Sequence, residues 1–377
     1  MLPLAQATVE AGHEVAFATA ADFCPRIEQA GFSTFPAGLS LSAQLDEAGR
    51  RYPEANLPPG KHRFETFVPQ MLAGVAAPPR MAELAPVIDE WQPHLLVHDE
   101  TELAGPLAAA HAGVPWADHS VGILRPLAMA ELAGRTLAPL AEQWGVDLGR
   151  FAGLFRYLYL DVCPPRLQRD EIGQIRVSHA LRNLGTETGP TDTLPPVLAS
   201  LPSQPTVYVS LGTIFNRASD LFRIILEGMV GEPVNVVVTV GPDNDPAALG
   251  PQPDNVRVER YVPQALLLPH CHAVVNQGGT AILDILGAGL PILVLPQGAN
   301  QFHNAEALVN SGVARALLPG EVTPAAVRDG LHALLSETRH RQAASAIAAE
   351  LAAMPGPELV VGLLERLARD RAPLARP

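Results

Sequence analysis

The stretch Val274-Val275-Asn276-Gln277-Gly278-Gly279-Thr280-Ala281 decides the fold of the second half of the chain. It predicts a buried strand that runs into two glycines and then opens a helix at Thr280. Paired glycines let a ligand approach the backbone, and the free N–H groups at the start of a helix suit a phosphate or a diphosphate. A plain tight turn explains the same residues, so the motif alone leaves both interpretations open.

Three further loops carry polar or aromatic side chains at the ends of predicted strands. They are Ser210-Leu211-Gly212-Thr213, Tyr261-Val262-Pro263-Gln264 and the amide-rich run from Pro296 to Glu306. Amides and carboxylates suit sugar hydroxyls, which both donate and accept hydrogen bonds, and an aromatic ring can stack on a flat base. Open parallel sheets bind ligands at the C-terminal ends of their strands, so we expect these loops to converge with the paired glycines on one site.

Apolar strands alternate with helices along both halves of the chain, which is typical of parallel sheets covered on both faces. The predicted strands are Glu14–Thr19, His94–His98, Val114–Asp118, Thr206–Leu211, Val234–Val240, Val256–Tyr261, Ala273–Val275 and Pro291–Leu295. A proline-rich linker separates the two sets. We therefore predict an α/β fold of two tandem Rossmann-like, doubly wound domains, residues 1–195 and 196–356, with a cleft between them. The last segment, residues 357–377, is expected to form a helix that packs back on the first domain.

The first half departs from this pattern in three segments. The chain opens on a predicted helix, Pro3–Ala11, whereas a doubly wound domain begins with a strand that feeds such a helix, so the first strand is missing from the sequence. Segment Phe35–Lys61 lacks clean periodicity and contains several prolines, which predicts a mobile loop. Segment Leu124–Arg169 has apolar residues at near-helical spacing and is predicted to be helical. Core packing is its simplest role, and an apolar ligand pocket is the alternative.

Composition narrows the classes of partner. The chain has 377 residues, of which 47% are hydrophobic, and its net charge of −13 disfavours nucleic acid. It contains no apolar run long enough for a membrane span and no signal-peptide pattern, so we expect a cytoplasmic protein. Cys24, Cys163 and Cys271 are too far apart for a disulfide framework and are predicted to be buried thiols. His270 and His272 flank Cys271 without a fourth ligand, which argues against a metal site.

Together these segments resemble the family-one glycosyltransferases of the GT-B fold, and among them the actinomycete enzymes that glycosylate polyketides and other natural products. The resemblance covers nearly the whole chain. In the first half it rests on Pro3-Leu4-Ala5, Gly12-His13-Glu14-Val15 and Val97-His98-Asp99. In the second half it rests on Ser210-Leu211-Gly212-Thr213, Asp254-Asn255-Val256, Tyr261-Val262-Pro263-Gln264, Leu268-Pro269-His270-Cys271, Gly278-Gly279, Gly289-Leu290-Pro291 and Pro296-Gln297 through Asn304-Ala305-Glu306.

The resemblance implies an inverting, metal-independent sugar transfer that needs no cofactor besides the nucleotide-sugar itself. The donor would be a thymidine diphosphate deoxysugar, and the acceptor a hydroxyl of a bulky apolar aglycone. Tyr261 would stack on the base, Glu306 would hold the ribose, and Asn300 with Gln301 would hold the sugar. The donor-binding residues that the resemblance implies are Ser210, Gly212, Thr213, Tyr261, Val262, Gln264, Asn276, Gln277, Gly278, Gly279, Thr280, Asn300, Gln301 and Glu306.

Three departures from the family pattern bear on catalysis. Asn276 and Gln277 stand where the family has a histidine that donates to the diphosphate, and an amide donates without bringing positive charge. Asn300 replaces the acidic residue of the sugar-binding pair. The family's general-base histidine, in the loop after the first strand, has no counterpart here. Asp99 matches the aspartate that orients this base, and His119 is the candidate substitute.

Two interpretations of the missing base follow. Either the sequence starts inside a longer chain, or the protein is a catalytically impaired homologue that binds a partner enzyme or an aglycone. A nucleotide-sugar epimerase on the same fold is a third option, which the apolar first half disfavours. Two more histidines remain to be placed: His13 is predicted to be structural, and His98 belongs either to the core or to the site. The oligomeric state is not indicated.

Overall fold

The computed structural model describes residues 1–183, 193–194, 198, 201–212, 219–241 and 244–376. The chain forms two compact units. Met1–Cys163, Gln168–Asn183 and Met354–Pro377 make the first, and Pro164–Leu167 with Leu184–Ala353 make the second. Both units are α/β with parallel sheets, which confirms the predicted fold class. The predicted domain boundary between residues 195 and 196 lies outside the described residues.

The first unit contains two parallel sheets. One has two strands in the order β1-β2, and the other has four in the order β3-β4-β5-β6. Every residue of β4 and β5 is buried, as expected for inner strands of a sheet that is covered on both faces. The strands are β1 (Ala16–Thr19), β2 (Ser33–Pro36), β3 (Leu96–Asp99), β4 (Trp116–His119), β5 (Leu158–Asp161) and β6 (Ser178–Ala180).

The second unit is built on one parallel sheet of six strands in the order β12-β11-β10-β7-β8-β9. Its first strand, β7, lies between β10 and β8, which is the order of a doubly wound domain. Valines from the inner strands, such as Val207, Val236 and Val275, are fully buried in its core. The strands are β7 (Thr206–Ser210), β8 (Asn235–Thr239), β9 (Val256–Glu259), β10 (Ala273–Asn276), β11 (Ile292–Val294) and β12 (Ala314–Ala316).

Helices connect the strands in both units. Helix α1 packs against α14 within the first unit, and α8 packs against α12 within the second. The helices are α1 (Leu2–Glu10), α2 (Cys24–Gln29), α3 (Leu41–Arg51), α4 (Lys61–Met71), α5 (Ala77–Trp91), α6 (Ala104–Ala112), α7 (Leu127–Gln143), α8 (Ser219–Gly228), α9 (Gln264–Leu267), α10 (Ile282–Gly287), α11 (Gln301–Asn310), α12 (Pro324–Ser336), α13 (Thr338–Ala353) and α14 (Pro357–Asp370).

The prediction of a mobile loop over Phe35–Lys61 was wrong. The longest element in this segment is helix α3, whose N-terminus is capped by Ser40: its Oγ accepts a hydrogen bond of 3.3 Å from the Ala43 N–H. Leu41, Leu45 and Ala48 recur at helical spacing within it, but the prolines that follow at positions 53, 58 and 59 favoured a loop interpretation. Tyr52 and the turn that begins at Pro53 end it.

The prediction that Leu124–Arg169 is helical throughout was also wrong. Helix α7 ends at Gln143, and Leu158–Asp161 is the buried strand β5. The backbone breaks between them, since Gly149, Ala152, Gly153 and Phe155 all have positive φ, a conformation that helices exclude. The apolar spacing predicted helix in place of β5 because this strand is buried on both faces, so its apolar residues do not alternate with polar ones.

No single helix in the described ranges is long and apolar enough to cross a membrane; α13 and α14 reach that length and hydropathy only when they are taken together.

Candidate functional site

The loops after β7 and β10 are tied together by Asn276. The two strands pair in register at Ser210 and Asn276. The Asn276 side chain donates through Nδ2 to the Ser210 carbonyl at 3.2 Å and accepts through Oδ1 from the Gly278 N–H at 2.7 Å. With 2% of its surface exposed, Asn276 has both ends of its amide used inside the protein. It therefore holds the two loops together through both ends of its amide.

The Gln277 amide lies against the backbones of both glycine loops. A Cβ added to Gly212 would overlap its Nε2, and a Cβ added to Gly279 would lie 3.3 Å from the same atom. Gln277 is 7% exposed, and its Oε1 has no hydrogen-bond partner among the described residues. Oxygen and nitrogen of such an amide are interchangeable by rotation, so Gln277 can present either one to a ligand. It is thus a buried polar group, next to two bare backbones, that no protein group satisfies.

The turn Gly278–Thr280 offers backbone donors beside this amide. Gly278 has φ +87°, and a Cβ there would lie 2.9 Å from Val294 Cγ1, so only glycine fits. Its carbonyl accepts from Asn304 Nδ2 at 2.8 Å, which fixes the turn to α11. Within the described part of the chain, the N–H groups of Gly279 and Thr280 donate to no other group. Helix α10 begins two residues later than predicted and has six residues, so these loop amides, more than its dipole, suit an anion.

The loop after β11 is organised by Gln301. Its Oε1 accepts from the N–H groups of Gln297 at 2.7 Å and Gly298 at 3.0 Å, and the side chain is 3% exposed. The carboxamide oxygen that was predicted to hold a sugar is therefore occupied within the protein, which leaves Nε2 as its available group. Asn300, just before α11, is partly exposed and caps nothing through its side chain.

The remaining predicted donor residues differ in exposure. Tyr261 follows β9 and is 67% exposed, so its ring is accessible, whereas its neighbour Val262 is buried. Gln264 begins α9, and its Nε2 is buried without a partner in the described ranges. Glu306 lies on the exposed side of α11. Thr213 lies outside the described residues.

The strand order brings some of these loops together and keeps one of them apart. Strands β11, β10 and β7 are neighbours, so the loops that carry Asn300, Gly278 and Gly212 meet at one edge. Strand β9, which precedes Tyr261, is separated from β7 by β8. The predicted donor residues are therefore brought together in one group around the glycines, with the exposed tyrosine two strands away.

In the first unit, His98 is a core residue paired with Asp118. Its Nε2 donates to Asp118 Oδ1 at 2.8 Å, and both side chains are buried. The second oxygen of Asp118 accepts from the Phe155 N–H at 2.6 Å. Burial lowers the pKa of His98, but the hydrogen bond and the charge of Asp118 outweigh it and raise the pKa to about 8. Both ring nitrogens of His98 and both carboxylate oxygens of Asp118 are hydrogen-bonded inside the protein. His98 is therefore a core residue and not a site residue.

His119 and Asp99 lie side by side at the ends of β4 and β3, where the register pairs them. His119 is 2% exposed; its Nδ1 donates to the Ser120 carbonyl at 2.8 Å, and its Nε2 has no partner in the described ranges. Burial, with the nearby amino terminus, lowers the pKa of His119 to about 3. Asp99 Oδ1 accepts from the N–H of Thr101 at 2.8 Å. His119 is thus a neutral imidazole with a free lone pair, and no hydrogen bond joins it to Asp99.

The sequence interpretation missed a buried acid next to Asp99. Glu100 accepts from the Tyr159 hydroxyl at 2.9 Å, and Arg125 lies 3.8 Å from its other oxygen. Burial raises the pKa of Glu100 above its usual value. Two successive acids at a strand end were the available signal, but only the partners on β5 and in the following loop show that one is buried.

The other predicted non-site residues are also placed. His13 is exposed, and its Nε2 lies at hydrogen-bond distance, 3.0 Å, from a Glu365 carboxylate oxygen. His272 Nδ1 accepts from the Thr206 N–H, and the three cysteines are buried, as predicted. In the described part of the chain, no three His, Cys, Asp or Glu side chains cluster closely enough to hold a metal ion.

Comparison with known proteins covers both units. Residues 6–209 match the family described as Erythromycin biosynthesis protein CIII-like, N-terminal domain, and residues 224–367 match the corresponding C-terminal domain. The chain is 32% identical to L-demethylnoviosyl transferase of Streptomyces niveus, over 99% of this chain and 96% of that protein. It is 28% identical to 4'-demethylrebeccamycin synthase of Lentzea aerocolonigenes, over 97% and 96%.

Solved structures give the same result. The glycosyltransferase VinC in complex with dTDP superposes with a TM-score of 0.79 and 27% identity, over 98% of this chain and 96% of that one. The spinosyn rhamnosyltransferase SpnG complexed with spinosyn aglycone superposes with a TM-score of 0.77 and 26% identity, over 97% and 95%.

Proposed function

The chain belongs to the EryCIII-like family of glycosyltransferases, and from that premise we propose that it transfers a deoxysugar from a thymidine diphosphate donor to a hydroxyl of an apolar natural-product aglycone. The proposed reaction is a single displacement with inversion at the sugar carbon. The acceptor oxygen attacks that carbon, its proton leaves to a base, and the bond to the diphosphate oxygen breaks. Neutral donors of the protein stabilise the departing diphosphate, so no metal is invoked.

One observation carries the donor side of this proposal. The Gln277 amide lies against the backbones of Gly212 and Gly279, and neither its Oε1 nor the N–H groups of Gly279 and Thr280 have a hydrogen-bond partner among the described residues. Such a cradle of uncharged donors suits a diphosphate. VinC, with 27% identity, is a relative whose structure was solved with dTDP. The proposal is tested by calorimetric titration of the chain with thymidine diphosphate, and absence of binding would refute it.

Replacing Gln277 with alanine is expected to weaken binding of thymidine diphosphate about tenfold, because one hydrogen bond to a charged oxygen is lost. Thymidine lacks the diphosphate, so its weaker binding should not change. The measurement is the ratio of the two dissociation constants in Gln277→Ala and in the parent chain. Equal losses for both ligands would place Gln277 at the base instead of the diphosphate.

Replacing Tyr261 with alanine is expected to weaken binding of thymidine and thymidine diphosphate alike, by about tenfold, because stacking of an aromatic ring on a base contributes about 1–3 kcal/mol. Tyr261 is 67% exposed, so the unfolding midpoint should not move. Tyr261→Phe keeps the ring and should bind as the parent does, and Phe23→Ala, an exposed aromatic of the first unit, serves as the unrelated control. If Tyr261→Phe binds as weakly as Tyr261→Ala, the hydroxyl and not the ring makes the contact.

A second function is favoured by the state of the candidate base. His119 is 2% exposed and is not hydrogen-bonded to Asp99, so the pair does not form a base and its orienting acid in this structure. This arrangement fits a homologue that binds nucleotide-sugar or aglycone and acts as a helper. Titration and turnover with the same donor separate the two functions. Sugar transfer that is lost in His119→Ala with nucleotide binding intact supports the enzyme, whereas binding without any transfer supports the helper.

A further inference from the structure

Three hydroxyl side chains lie on one face of the six-stranded sheet, near its carboxyl edge. Tyr208 and Ser210 are two residues apart on β7, so both point to the same face. Strand β8 pairs with β7 in register, and Thr239 is the partner of Ser210. Val207 and Val209 point the other way, into the core of the second unit. The three hydroxyl side chains therefore share the face that looks away from this core.

The Tyr208 hydroxyl connects the other two. It lies 2.8 Å from Thr239 Oγ1, and either oxygen can donate this hydrogen bond. It also forms a hydrogen bond with the side chain of Ser210. Tyr208 and Thr239 are buried, whereas Ser210 is partly exposed. Of the three, Ser210 is thus the one whose hydroxyl a ligand can reach.

The Tyr208 oxygen carries one proton, so it donates to only one of its two neighbours at a time. Burial raises the pKa of Tyr208, although its bonds with Ser210 and Thr239 lower it, so the phenol stays protonated. If Tyr208 donates to Thr239, its bond with Ser210 uses the Ser210 proton. If Tyr208 donates to Ser210, the Ser210 proton is free for a ligand. An ionised diphosphate accepts hydrogen bonds and does not donate them, so it selects the second arrangement.

Ser210 lies at the edge of the sheet where a diphosphate is proposed to bind. Its carbonyl accepts from Asn276 Nδ2 at 3.2 Å, and Gly212, two residues later, lies against the Gln277 amide. The Ser210 hydroxyl therefore belongs to the same group of loops as the unsatisfied oxygen of Gln277. A hydroxyl whose oxygen already accepts a hydrogen bond is also a stronger donor, because hydrogen bonds in a chain polarise one another.

We propose that Tyr208 is a positioning residue for the sugar donor: it donates to Ser210 Oγ and so directs the Ser210 proton toward the diphosphate. The proposal rests on the proposed function, because that function supplies the anion. Thr239 is the buried neighbour that competes for the Tyr208 proton when no anion is bound. Because Tyr208 is itself buried, its effect on binding passes through the Ser210 hydroxyl.

The test compares two variants that remove the same hydrogen bond. Tyr208→Phe and Thr239→Val each break the bond between Tyr208 and Thr239, so both should lower the unfolding midpoint to a similar extent. Only Tyr208→Phe also removes the donor to Ser210. We expect Tyr208→Phe to weaken binding of thymidine diphosphate about fivefold in calorimetric titrations, and Thr239→Val to weaken it by less than about twofold. Binding of thymidine, which lacks the diphosphate, should not change in either variant.

Ser210→Ala supplies the readout that a purely structural role of Tyr208 would not change. On its own it should weaken binding of thymidine diphosphate about tenfold, because one hydrogen bond to a charged oxygen is lost. Adding Tyr208→Phe to Ser210→Ala should then weaken binding no further, since Tyr208 acts through the Ser210 hydroxyl.

Three outcomes overturn the proposal and leave the proposed function intact: unchanged binding in Tyr208→Phe, equal losses in Tyr208→Phe and Thr239→Val, or a further loss when Tyr208→Phe is added to Ser210→Ala. If Tyr208→Phe does not fold, the variant that combines it with Thr239→Val replaces it in every comparison. Removing both hydroxyls leaves neither without its partner, so the combined variant keeps the fold.

Inorganic pyrophosphate, titrated in parallel, separates this proposal from the proposed function, because it carries the anion without the nucleoside. If the parent chain binds pyrophosphate but not thymidine diphosphate, the proposed donor is refuted, and the same set of variants is measured with pyrophosphate under the same expectations. If the parent chain binds neither, both proposals are overturned.

Discussion

Replacing Gly212 with alanine is expected to weaken binding of thymidine diphosphate about 100-fold. The added Cβ would overlap the Gln277 amide, which must then leave its place against the glycine backbones. The methyl group also occupies the surface that a diphosphate would approach. Both effects weaken contacts with the ligand. The displaced atom is the end of a flexible side chain, so the fold of the second unit should be retained.

The control for this variant is Gly231→Ala. Gly231 has φ +78° and Gly212 has φ +70°, so alanine is strained at both positions, by about 1–2 kcal/mol. At Gly231, however, an added Cβ meets no atom within 4 Å. We therefore expect both variants to lose similar stability in denaturant and only Gly212→Ala to lose nucleotide binding. Similar binding by the two variants would show that the Gly212 loop is a structural turn.

A double variant sharpens the test further. If Gly212→Ala acts largely by displacing Gln277, then adding Gln277→Ala to it should weaken binding by much less than the tenfold expected for Gln277→Ala alone. Fully additive losses would mean that the two residues act on the ligand independently. The three dissociation constants, measured by calorimetry with thymidine diphosphate, decide between these cases.

The sheet of the second unit could be predicted from sequence because its strands are short apolar runs between clear breaks. The run Val234–Val240 was predicted as a strand, and β8 occupies Asn235–Thr239. Strands β6 and β12 were missed because each has three residues and no apolar run. The residues of β5 fit a helical pattern as well as a strand, because a strand buried on both faces shows no alternation of apolar and polar residues.

The loops that form the candidate site could be predicted from the sequence. Which of their polar side chains lack a hydrogen-bond partner within the protein could not. Glycines at strand ends mark the places where a ligand can reach the backbone, and those positions follow from the sequence. Whether an amide is available depends on neighbours that are distant in sequence. The Asn276 side chain donates to the carbonyl of Ser210, 66 residues away, and the Gln301 oxygen accepts from its own loop. The Gln277 oxygen, in contrast, has no hydrogen-bond partner among the described residues. No local pattern distinguishes these three amides.

The pairing of His98 with Asp118 predicts a stability that falls as the pH rises. The pKa of His98 is about 8 in the folded chain, against an ordinary value of 6.5. The stabilisation of the folded chain that comes from this raised pKa is complete below about pH 6.5 and is lost as the pH rises through about 8. The shift corresponds to about 2 kcal/mol in the free energy of unfolding. Because all three tryptophans, Trp91, Trp116 and Trp144, lie in the first unit, their fluorescence follows its unfolding.

Asp118→Asn should lower the free energy of unfolding of the first unit by about 3 kcal/mol or more at pH 6, because it leaves a buried imidazolium without its counter-charge. The amide also cannot accept from both His98 Nε2 and the Phe155 N–H, since one of its ends is a donor. The difference from the parent should shrink at pH 9, where His98 is neutral in both proteins. His13→Gln breaks the exposed pair with Glu365 and should cost less than about 0.5 kcal/mol at either pH. If Asp118→Asn lowers the free energy of unfolding equally at pH 6 and pH 9, then hydrogen-bond geometry, and not the charge on His98, holds β3 to β4.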